Sequence, residues 1–104
     1  MKLYWVYIMA SRRRIIYIGF SGNIEERVHE HKCDIDPKSF CAHYMVHDLV
    51  YFEEFTTPIL GINREKELKA WNRTKKIALI NSMNPTWRDL SLDWRKPIRK
   101  LPKK

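Results

Sequence analysis

The chain opens with an almost unbroken apolar and aromatic run, Leu3 to Ala10, then the polar stretch Ser11-Arg12-Arg13-Arg14 and a second apolar run, Ile15 to Phe20. A run that is apolar at both alternate sets of positions predicts a strand covered on both faces. The polar stretch is too short for a parallel crossover, so the two strands form an antiparallel hairpin with Tyr7 and Tyr17 on neighbouring strands. Asn23 followed three residues later by Glu26 is a helix-capping pattern, and it predicts a helix from Ile24 to about Lys32.

Residues 33–47 mix proline, serine and polar groups and read mostly as loop, after which Leu49 to Phe55 predicts a third strand. Thr57-Pro58 places a cap before a proline at the first helical position, and Ile59 to Trp71 keeps helical spacing through Leu60, Leu68 and Trp71. Asn72 interrupts, and Thr74 to Met83 predicts a further helix with Ile77 and Ile80 on one side. The basic run Arg73, Lys75 and Lys76 at its start opposes the helix dipole, so helix stability does not account for it. Asn84-Pro85 stops that helix, and Trp87, Leu90, Leu92 and Trp94 are expected to close over the core.

At 104 residues the chain makes one domain, and any site must sit on the surface of a small α/β or α+β unit. The net charge of +8 invites a nucleic-acid reading, but six of the basic groups fall in residues 95–104, which contain no acid. Residues 1–94 carry fourteen basic and twelve acidic groups. The expected organisation is therefore a folded body over 1–94 and a flexible basic tail over 95–104 that contacts phosphate without sequence preference. No apolar run has membrane-spanning length and the opening lacks a signal-peptide pattern, so a cytoplasmic protein is expected. Cys33 and Cys41, with His29, His31, His43 and His47 nearby, lack the close pairs of a zinc site, and two free thiols are the simpler reading.

Certain segments resemble the GIY-YIG nuclease superfamily, in particular its small single-domain bacterial members. These are Val6-Tyr7-Ile8, Tyr17-Ile18-Gly19, Asn23 to His31, Leu49 to Glu53, Arg64 to Trp71 and Asn84 to Leu90. The glycine that names the first motif is replaced by Trp5, so the pattern reads WVY, while the chemistry belongs to the tyrosine. The resemblance implies an α+β (mixed α/β) domain with a three-stranded antiparallel sheet flanked by helices, and an endonuclease that hydrolyses DNA with Mg2+ or Mn2+. It implies Tyr7 as a group that helps deprotonate the attacking water, Tyr17 beside it, Arg27 on the phosphate, Glu65 as the metal-holding carboxylate, and His31 as a base or phosphate ligand.

The residue chemistry is compatible with these roles. On a helix advancing about 100° per residue, Arg27 and His31 share a side with Ile24 and Val28, which pack on the sheet and aim both polar groups at the tyrosines. A free tyrosine titrates near about 10, so Tyr7 acts as a base only if its surroundings lower that value. Magnesium keeps several waters and needs only one carboxylate plus substrate phosphate, so Glu65 suffices, with Glu67 its nearest competitor. Without the family, the same residues read as core aromatics and solvated helix charges. Single-stranded DNA is the expected substrate if aromatics near the site are exposed, with Arg73, Lys75 and Lys76 as candidate strand contacts. The rival readings are a nucleic-acid-binding module with weak or lost chemistry, and a structural protein that uses Trp5, Trp71, Trp87 and Trp94 only for packing.

Overall fold

The computed structural model describes residues 2–94; the tail expected over 95–104 lies outside them. Three strands, β1 (Tyr4–Ala10), β2 (Ile16–Ser21) and β3 (Asp48–Phe55), form one antiparallel sheet in the order β2-β1-β3. Helix α1 (Ile24–Lys32) and a short helix α2 (Phe40–Tyr44) precede β3, and α3 (Pro58–Ala70), α4 (Arg73–Met83) and a 3-10 turn (Leu90–Trp94) follow it.

The central strand is covered on both faces, as its unbroken apolar run predicts. On one face Val6, Ile8 and Ala10 join Ile18, Val50, Leu68, Ile80 and Trp87 beneath α3 and α4. On the other, Tyr7 and Met9 join Ile24, Val28, Cys41, Val46 and Leu49 beneath α1 and α2. Among the described residues no strand pairs the outer edge of β2.

The β1–β3 register shifts between Ile8, opposite Tyr51, and Met9, opposite Leu49, so Val50 is an extra, bulged residue. The buried Asn84 completes that bulge by donating its amide to the Val50 carbonyl at 3.1 Å and to the Arg88 carbonyl at 2.8 Å. Asp89 does comparable work nearby. It accepts from the Leu49 amide (3.1 Å) and from the Ser91 amide (3.1 Å) and hydroxyl (2.7 Å), and pairs with Lys32 of α1. The Asn84 to Leu90 segment is therefore a clamp on β3 and α1. Between its anchors Trp87 takes a left-handed φ of 58°, held by its indole N–H on the Asn81 side chain at 2.6 Å.

Burial pushes the Asp89 carboxyl up, but Lys32, Ser91 and the Leu49 amide outweigh it and hold the group below its ordinary value. A depressed carboxylate stabilises the fold above its unfolded pKa, and that contribution is lost as pH falls through the lower folded value. Asp89→Ala is expected to cost about 2–4 kcal/mol, read as a lower urea midpoint at neutral pH, with the difference from the native chain shrinking in acid.

Three expectations are corrected. Residues 33–47 contain helix α2: the Ser39 hydroxyl caps it by accepting from the Ala42 amide, and Met45 ends it with a left-handed φ of 57°. Leu60 does not serve the apolar stripe of α3 but is 53% exposed, beside an exposed Ile59. The buried position is Gly61, where a β-carbon would lie 2.5 Å from the Phe20 ring, so α3 meets the sheet through a glycine and Leu68. Leu92, expected over the core, is also exposed, while Trp87 is buried and Leu90 and Trp94 are partly so.

Candidate active site

Tyr7 stands at the middle of β1, fully buried, directly opposite Gly19 of β2. Paired residues of an antiparallel ladder project to the same face, and with no side chain at Gly19 the Tyr7 ring is free to lie across β2. A β-carbon at Gly19 would fall 2.5 Å from both Cζ and Oη of Tyr7 and 3.0 Å from the Tyr17 ring. Trp5, which stands where the first motif has its glycine, is partly buried against the same cluster.

Helix α1 brings the next two groups. Its start is built as expected: the Asn23 side chain accepts from the Glu26 amide at 3.2 Å and donates to the Glu26 carboxylate at 3.4 Å. Ile24 and Val28 are buried against the sheet, which fixes the rotation of the helix. His31 then places Nε2 within 3.1 Å of the Tyr7 hydroxyl, its ring 5.2 Å from that of Tyr17. Arg27, on the same side, has a half-exposed side chain held by Glu30 at 3.1 Å.

Burial, reinforced by the neighbouring Tyr17, pushes the Tyr7 phenol well above its ordinary value, and the Arg27 guanidinium only partly opposes this. His31 is lowered, first by burial and then by Arg27, against an opposing pull from Glu30. Both members of the Tyr7–His31 pair are thereby neutral at neutral pH.

Glu65 enters from the other layer. Its carboxylate, 20% exposed, pairs with Lys69 at 2.9 Å, one turn further along α3. Lys69 lines a groove of about 310 Å³ at the free edge of β2, together with Ile16, Tyr17, Ile18, Phe40 and Lys76. This edge is where the two layers meet, Tyr17 and Phe40 coming from the α1–α2 side and Lys69 and Lys76 from the α3–α4 side.

Tyr7, Tyr17, Arg27 and His31 thus gather into one cluster, while Glu65 reaches the groove through its neighbour Lys69. Arg64 holds Glu53 by two bonds of 3.0 and 2.9 Å and Glu67 at 2.9 Å, and lies 5.2 Å from the Trp71 ring. Glu67, the competitor for the metal, is therefore engaged by Arg64. Arg73 donates to the Arg14 carbonyl at 2.7 Å and Lys75 sits 4.5 Å over the Trp71 ring, so of the three basic candidates Lys76 lines the groove. Lys69 and Phe40 were not anticipated. The spacing of four between Glu65 and Lys69 was the available signal for the first, and the Ser39 cap for the second. Among the described residues no helix is long and apolar enough to cross a membrane, and no group of three or more His, Cys, Asp or Glu side chains forms a metal site.

The chain is a small α+β domain with a three-stranded antiparallel sheet, and polar groups from both layers line one edge of it. The model of the GIY-YIG catalytic domain matches residues 3–78, and the chain belongs to that family. A UPF0213 protein of Haloquadratum walsbyi is 34% identical over 73 residues, 70% of this chain and 81% of its own length. A UPF0213 protein of Staphylococcus saprophyticus is 32% identical over 81 residues, 78% and 98% of the two chains. The solution structure of a UPF0213 protein from Bacillus halodurans superimposes with a TM-score of 0.55 at 20% identity, covering 84% of this chain and 92% of that one, a likeness of fold. GIY-YIG nucleases generally depend on a divalent metal.

Proposed function

We propose that the protein is an endonuclease that hydrolyses DNA phosphodiester bonds at the β2 edge, with single-stranded DNA its preferred substrate. The observation that carries this reading is the hydrogen bond between the Tyr7 hydroxyl and His31 Nε2, 3.1 Å long, beside Arg27 and next to an open groove.

Phosphodiester hydrolysis needs a proton acceptor for the attacking water and compensation for charge growing on phosphate oxygens. Tyr7 alone is a poor acceptor, because its surroundings hold the proton on. The pair removes that difficulty: the Tyr7 hydroxyl accepts from water while donating to His31 Nε2, so the proton load passes to a neutral imidazole. Arg27, half-exposed and permanently charged, meets the phosphate at the cluster's outer rim. Lys69 and Lys76 line the opposite wall and hold the strand by its backbone.

The donor set suits a hard cation, since a lone carboxylate at a solvent-facing edge leaves room for the waters that Mg2+ or Mn2+ retains. Glu65 would hold the ion, which supplies Lewis-acid stabilisation of the phosphate when bound. Lys69, paired with Glu65 at 2.9 Å, would be free to turn toward the substrate were Glu65 to hold the ion.

The test is cleavage of labelled single-stranded, duplex and branched oligonucleotides with magnesium or with chelator. Tyr7→Phe and Arg27→Ala are each expected to lower kcat by about 10²–10⁴-fold. Binding without cutting on every substrate would instead make this a binding module on a nuclease fold. The rate should also report His31. Because its pKa is lowered, protonation begins below the ordinary histidine value of about 6.5, so kcat stays level at neutral pH and falls only under more acid conditions. In His31→Asn that acid limb should vanish along with most of the rate; an unchanged pH profile would remove His31 from the proton path.

A further inference from the structure

Helix α2 and the residue that ends it expose three large side chains in a small domain: Phe40 is 45% exposed, Tyr44 44% and Met45 68%. The rings form a run. Phe40 lies 6.2 Å from Tyr17 in the edge groove and 4.8 Å from Tyr44, whose ring also meets His43 edge-on at 4.6 Å. Beyond Tyr44 a second groove opens, about 300 Å³, in which Tyr44 and Met45 face Arg12 and Arg13 of the β1–β2 turn, with His47 and Asp48 also lining it. Each groove is thus lined by aromatic side chains, Tyr17 and Phe40 in one and Tyr44 in the other, together with two exposed or partly exposed cations, and the two grooves are linked by the Phe40–Tyr44 contact.

Alternation of ring faces with cations is the pattern that takes an unpaired nucleotide strand, whose bases stack on aromatics while its phosphates meet lysine and arginine. A duplex cannot offer the same face, because its bases are already stacked on one another. An apolar peptide would bring no anionic partner to Arg12, Arg13 or Lys76.

We propose that Phe40 and Tyr44 form a base-stacking platform that carries an unpaired strand from the β2-edge groove over α2 to the β1–β2 turn, where Arg12 and Arg13 take its phosphates. The platform deepens the nuclease reading and rests on it for where the cut phosphate lies, although binding itself can be measured apart from cleavage. Residues Phe40, Tyr44, Arg12 and Arg13 belong to no part of the proposed chemistry.

The experiment is fluorescence anisotropy of oligothymidylate, oligouridylate, an abasic oligonucleotide of equal length and a duplex, all in chelator so that nothing is cut. The native chain is expected to bind both unpaired strands more tightly than the abasic one. Phe40→Ala and Tyr44→Ala should each weaken that binding by about tenfold, and Phe40→Trp should restore it. Arg12→Ser with Arg13→Ser should flatten the salt dependence of binding by about one to two phosphate contacts. Equal affinity for the abasic strand, or indifference to Phe40→Ala, overturns the platform even if cleavage proceeds. So would a native chain that self-associates through this face until Phe40→Ala dissolves the dimer. Platform-dependent binding with no cleavage under any metal would leave this inference standing and remove the nuclease reading.

Discussion

Gly19→Ala is expected to slow cleavage about a hundredfold while the protein still folds. The added methyl would fall 2.5 Å from the hydroxyl and ring tip of Tyr7, and neither the ring nor the strand can yield without disturbing the packed face beneath α1. Because Tyr7 is fully buried, the strain must move its phenol away from His31 or push α1 outward. A displacement on the order of 1 Å at a reacting group costs about a hundredfold in rate, and that is the expected loss in kcat. The overpacking itself should cost only about 1–3 kcal/mol, visible as a lower melting temperature with an unchanged circular dichroism spectrum. Since the two residues touch, the stability losses of Gly19→Ala and Tyr7→Leu should be less than additive when combined. Near-native cleavage by Gly19→Ala would mean that the phenol's position does not matter to the chemistry.

The second large effect is expected at Glu65. Glu65→Gln keeps the side chain's size but removes the charge that would hold a divalent ion, and kcat should fall by about 10²–10³-fold or more. Affinity for a single strand in chelator should hold or rise, because Lys69 loses its partner and an anion leaves the phosphate path. This opposition of rate and affinity separates Glu65 from a merely structural carboxylate. Glu53 supplies the contrast: held by Arg64 and Tyr51 beneath α3, it should lose stability, not the metal dependence of the rate, when replaced.

Much of this is legible in the amino-acid sequence alone. The short basic turn between two apolar runs required an antiparallel hairpin, and the Asn23–Glu26 cap with Ile24 and Val28 set the rotation of α1 closely enough to bring His31 onto Tyr7. Other features left little trace. The fold meets α3 at Gly61, which contributes no hydrophobic signal, so the apolar spacing pointed instead to Leu60, which is exposed. Helix α2 spans only five residues in a stretch with proline and charged neighbours, and its single local cue was the Ser39 cap. The Asn84 to Leu90 segment looked like part of the functional signature, yet its asparagine and aspartate satisfy a bulged carbonyl and a strand end, contacts that depend on a β3 register no local pattern encodes. The groove likewise arises from the meeting of two layers at one edge.

The account's central claim is metal-dependent hydrolysis at that edge, and the rate of single-strand cleavage against magnesium concentration tests it most directly, measured for the native chain and Glu65→Gln side by side. A native rate that rises and saturates with magnesium, vanishes in chelator, and drops to background in Glu65→Gln while binding persists is the expected result. Cleavage that continues in chelator, or that Glu65→Gln performs with the native magnesium response, would contradict it.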